Sequence, residues 1–143
     1  MVFYASKKNV WYKIFYHHHY YDVEDWELDF EWLRVRHIVK DSLKQETLPD
    51  LNLVLLMIGI QELGFWKKAW TKEEKQDLMH IAICRLLSYE GYYAFEGLDT
   101  EGWPHYRLVA KPTFRGEKEQ EIYLKEKIVQ YFKQMDTEAA DYQ

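Results

Sequence analysis

Polar and apolar residues alternate strictly from Asp25 to Trp32, with Trp26, Leu28, Phe30 and Trp32 set against Asp25, Glu27, Asp29 and Glu31. A period of two is the mark of a strand, here with four carboxylates on one face. Beyond Trp32 the rhythm changes to Trp32, Val35, Ile38/Val39 and Leu43, a helical spacing. The pattern predicts a helix over about 29–45 and leaves 22–28 open. Upstream, residues 2–5 and 10–16 are rich in aromatic and β-branched types and flank Ser6-Lys7-Lys8-Asn9, the composition of an N-terminal hairpin. Trp11, Tyr12, Phe15, Tyr16, His19 and Tyr20 also recur near helical spacing, so strand and helix both remain open across 1–28.

The middle of the chain carries clearer punctuation. Thr47-Leu48-Pro49-Asp50 offers a hydroxyl N-cap, an early proline and an acid at the positive helix end. The helix it predicts, 48–63, is apolar almost all round and stops at Gly64. Thr71-Lys72-Glu73-Glu74 is a capping box that opens a helix over 72–89, with Leu78, Ile81, Ala82, Cys84/Arg85 and Leu86 inward. Two strand-like runs, 92–98 and 103–110, surround Asp99-Thr100-Glu101-Gly102 and predict a β-hairpin. Pro104 must lie at an edge or a bulge of it, since proline cannot donate to a ladder. A last helix, about 117–135, would pack through Leu124, Ile128, Phe132 and Met135. The expected fold is α+β, mainly helical, as a single domain over 1–136 with a disordered tail at 137–143.

Composition narrows the function. With 143 residues, 48% of them apolar and only nine Gly or Pro, the chain can bury a sizeable core. A net charge of −5 argues against a general nucleic-acid binder, which needs a basic face. The acids cluster: Asp22, Glu24, Asp25, Glu27, Asp29 and Glu31 precede Arg34, Arg36, His37 and Lys40. The single cysteine, Cys84, sits among helix-core residues and fits a reducing, cytoplasmic setting. The most apolar stretch, 51–60, is about half of the roughly 20 residues that cross a bilayer, so no membrane role is expected.

Candidate chemistry is sparse. On a strand, His17 and His19 would share one face about 7 Å apart and could chelate a metal with Asp22. Asp77, His80 and Cys84 share a helix face at i, i+3, i+7. No phosphate-binding glycine loop, nucleophile elbow, dinucleotide fingerprint or zinc-protease motif is present, and no cofactor is called for. Aromatics are the stronger signal, because Trp and Tyr bury much area with few rotors to freeze. Eleven of the 25 fall in the first 32 residues. Trp11, Tyr12, Tyr16, Tyr20, Tyr21 and Trp26, beside Asp25, Glu27, Asp29 and Glu31, form a candidate partner-binding surface.

The stretch Leu86-Leu87-Ser88-Tyr89-Glu90-Gly91-Tyr92-Tyr93, followed by Gly102-Trp103-Pro104-His105-Tyr106-Arg107-Leu108, resembles the helix end and wing of winged-helix regulators of the PadR kind. The likeness covers residues 86–108 and implies three helices before a wing. It would assign nucleic-acid contacts to Lys72, Lys75, Arg85, His105 and Arg107. Glu73, Glu74 and Asp77 interleave with those bases, a mixture that phosphate would repel as much as attract. The sequence thus predicts a non-enzymatic module that binds a partner protein or itself. A winged-helix-like nucleic-acid or regulatory domain and a metal enzyme using His17 and His19 are the alternatives.

Overall fold

A computed structural model describes the chain over residues 17–141, and its side chains over 26–138. The predicted N-terminal hairpin, with Trp11, Tyr12 and Tyr16, lies outside the described residues. Within them, four helices and one antiparallel hairpin make an α+β, mainly helical fold. In order these are α1 (His17–Leu43), α2 (Leu51–Leu63), α3 (Lys72–Leu87), a 3-10 turn (Ser88–Glu90), β1 (Tyr93–Leu98), β2 (Pro104–Leu108) and α4 (Glu117–Asp141).

The first helix begins far earlier than position 29 and absorbs the alternating segment entirely. Residues two apart on a helix diverge by about 200°. The alternation therefore splits its apolar side chains between opposite faces. Trp32 is buried with Val35 and Val39, and Leu28 packs against the same core. Trp26 and Phe30 point the other way, into solvent.

The second helix starts at 51, not 48, and its cap is Asp50, not Thr47. Asp50 Oδ1 accepts the Leu53 amide at 2.9 Å. The reason is Pro49: the residue before a proline is pushed out of helical backbone, so Leu48 cannot join the helix. The Pro49 carbonyl instead accepts Arg36 Nε at 2.8 Å and ties the α1–α2 connection to α1. At the far end Gly64 adopts φ 89°, the left-handed stop its sequence position predicts. The third helix opens on the full capping box, with Thr71 and Glu74 satisfying each other's backbone amides. It ends at Leu87 and tightens into the 3-10 turn.

The core joins all four helices through Trp32, Val35 and Val39, Val54, Leu55 and Ile58, Ala82, Leu86 and Leu87, and Leu124, Ile128 and Phe132. The α2–α3 crossing is close at Gly59, where an added Cβ would stand 2.1 Å from the Leu78 carbonyl oxygen. Arg85 reaches inward to a cluster that ties three helices together. It pairs with Glu62 at 3.3 Å and lies over the rings of Tyr89 and Tyr131. Tyr131 donates its hydroxyl to Glu62 at 2.6 Å. The hairpin pairs Tyr93 with Leu108 and Leu98 with Pro104, with a register shift between Phe95 and Gly97. Pro104 opens its strand, where a missing donor matters least. The last helix runs six residues past the 135 expected and reaches Asp141. Among the described residues no helix is long and apolar enough to cross a membrane.

Candidate functional site: an aromatic stripe on the first helix

Trp26, Phe30 and Leu33 follow one another at i, i+4, i+7, so they form a stripe along one side of α1. They are 68%, 55% and 44% exposed, large values for side chains that a core would normally cover. The rings of Trp26 and Phe30 stand 6.0 Å apart, so the stripe is a continuous apolar surface. Exposed Glu27 and Asp29 flank it, and exposed His37 continues it one turn on. Glu31 turns to the α4 side, where Arg34 bonds it at 2.9 Å and Lys133 lies 3.9 Å away. Arg34 also reaches Asp136 at 3.5 Å. Burial of Trp32, Val35 and Val39 sets the rotation of α1 on the core and leaves the stripe outward, and these surface pairs lie on its α4 side.

Of the partner-binding candidates read from the sequence, the structure brings Trp26, Glu27 and Asp29 to this surface and gives Glu31 to the helix interface. Tyr20, Tyr21 and Asp25 lie on α1, in the part whose side chains are not described. Phe30 and Leu33 were missed as site residues. Continuing the alternation through a helix, instead of a strand, would have placed both beside Trp26. His17, His19 and Asp22 also fall on α1. The strand that would have set His17 and His19 on one face is a helix, on which positions two apart diverge.

The five basic candidates divide. Lys72 and Lys75 are exposed on the first turns of α3. Arg85 turns inward to Glu62, Arg107 pairs with Glu96 at 3.2 Å, and His105 pairs with Asp99 at 2.9 Å. Three of the five thus already pair with carboxylates of the same chain.

A groove of about 440 Å³ separates α3 from the hairpin and is lined by Asp77, His80, Cys84, Glu101, Trp103 and Tyr106 among others. Asp77, His80 and Cys84 do share this wall, as their spacing predicted. The Cys84 sulfur lies 3.5 Å from His80 Nε2, and burial pushes its thiol up to about 11. A buried thiol of that acidity is a poor nucleophile. Two other carboxylates on the wall serve the fold. Glu74 is held below its usual range by its bond to Lys67 and by the Thr71 amide. Asp99 is held low by His105, then by the Trp103 and Glu101 amides it accepts at 3.0 and 2.9 Å. Among the described residues no three His, Cys, Asp or Glu side chains stand close enough to hold a metal ion.

No protein-family model, curated protein or solved structure matches this chain.

Proposed function

We propose that this chain is a non-enzymatic interaction module whose partner protein seats on the outer stripe of α1. One observation carries the reading: among the described residues, α1 is apolar on two opposite faces, and the core covers only one of them. Leaving Trp26 and Phe30 in water forfeits the roughly 25 cal/mol per Å² that burial would return, so a partner gains from covering them. Glu27 and Asp29 at the rim favour a partner with basic residues beside its apolar contact. A photo-crosslinker at Asp29, introduced into the full chain in its source cells, tests this. Capture at Asp29 that is absent at Lys118 on α4, and lost on Phe30→Asp, is the expected result. Equal capture at both positions overturns the reading.

A winged-helix-like regulatory domain is the second reading, supported by the order of three helices, a hairpin and a final helix. In that reading Lys72 and Lys75 meet phosphate, while the partners of Arg85, His105 and Arg107 reduce their contribution. Fluorescence anisotropy with a labelled duplex at low salt separates the two readings. Binding that weakens with salt and disappears in the Lys72→Glu, Lys75→Glu double variant favours the second.

A further inference from the structure

We draw no further inference here: the strongest candidate, the groove between α3 and the hairpin with Asp77, Glu101, Trp103 and Tyr106 in its lining, rests on a cluster of carboxylates that no second observation ties to a ligand.

Discussion

Replacing Gly59 by alanine sets two physical effects against each other, and the structure decides the sign. Helix propensity favours alanine over an interior glycine by about 0.5–1 kcal/mol. On an open helix face the substitution would therefore stabilise. Here the new methyl would stand 2.1 Å from the Leu78 carbonyl oxygen and 2.6 Å from its carbon. Both atoms are backbone of α3, so no rotamer change relieves the clash. Reaching ordinary contact at 3.4 Å means opening the α2–α3 crossing by about 1.3 Å. A radial gap of about 0.5–1 Å already forfeits a quarter to a half of each dispersion contact. The contacts at risk are those of Val54, Leu55 and Ile58 in the same core as Ala82 and Leu86. Overpacking costs about 1–3 kcal/mol, and the lack of any flexible neighbour places this case at the upper end. The net expectation is a loss of about 2 kcal/mol after the propensity gain. For a domain of this size that lowers Tm by roughly 4–8 °C. Thermal unfolding followed by circular dichroism measures it, with Asn52→Ala on the exposed side of α2 as the control for propensity alone. A Gly59→Ala protein that melts at or above the unmodified chain would refute the close crossing.

Three further outcomes follow from the same geometry. Tyr131→Phe removes the hydroxyl that Glu62 accepts at 2.6 Å in a largely buried setting; a loss of about 1–2 kcal/mol is expected in the urea midpoint, and no change would mean the cluster does not hold α2 to α4. Cys84, raised from 9.0 to about 11, should react with iodoacetamide about a hundredfold more slowly near pH 8 than in the urea-unfolded chain, and equal rates would contradict its burial. Asp99 has a folded-state pKa below its ordinary 3.8, so its contribution is present above that value and is lost as pH falls through the lower, folded value. Amide shifts of Glu101 and Trp103 should accordingly titrate below 3.8, and a midpoint above it would refute the turn's hydrogen bonding.

Local chemistry made much of this fold legible in the sequence. The capping box at Thr71 and the glycine stop at Gly64 act through backbone groups within a few residues, so their geometry is nearly independent of context. The inward faces of α3 and α4 were likewise readable, because Leu78, Ile81, Leu86, Leu124, Ile128 and Phe132 repeat at helical spacing and have one core to face. Pro49 shows the same logic where two capping residues compete. Its effect on Leu48 is local, and weighing it against Thr47 would have given Asp50 as the cap.

Tertiary structure decided what depends on distant partners. Trp26, Leu28, Phe30 and Trp32 alternate in a way that local sequence cannot resolve, since a strand and a two-faced helix both satisfy it. Packing of Trp32, Val35 and Val39 against α2 and α4, with Glu31 and Arg34 paired across to α4, selects the helix and turns Trp26 and Phe30 outward. Arg85 is the second case. Its sequence neighbours suggest a surface cation, yet Glu62 and Tyr131, 23 and 46 residues away, draw it inward. Local interactions determined where α2 begins and ends and where α3 begins; long-range burial and charge pairing determined which faces of the helices remain exposed.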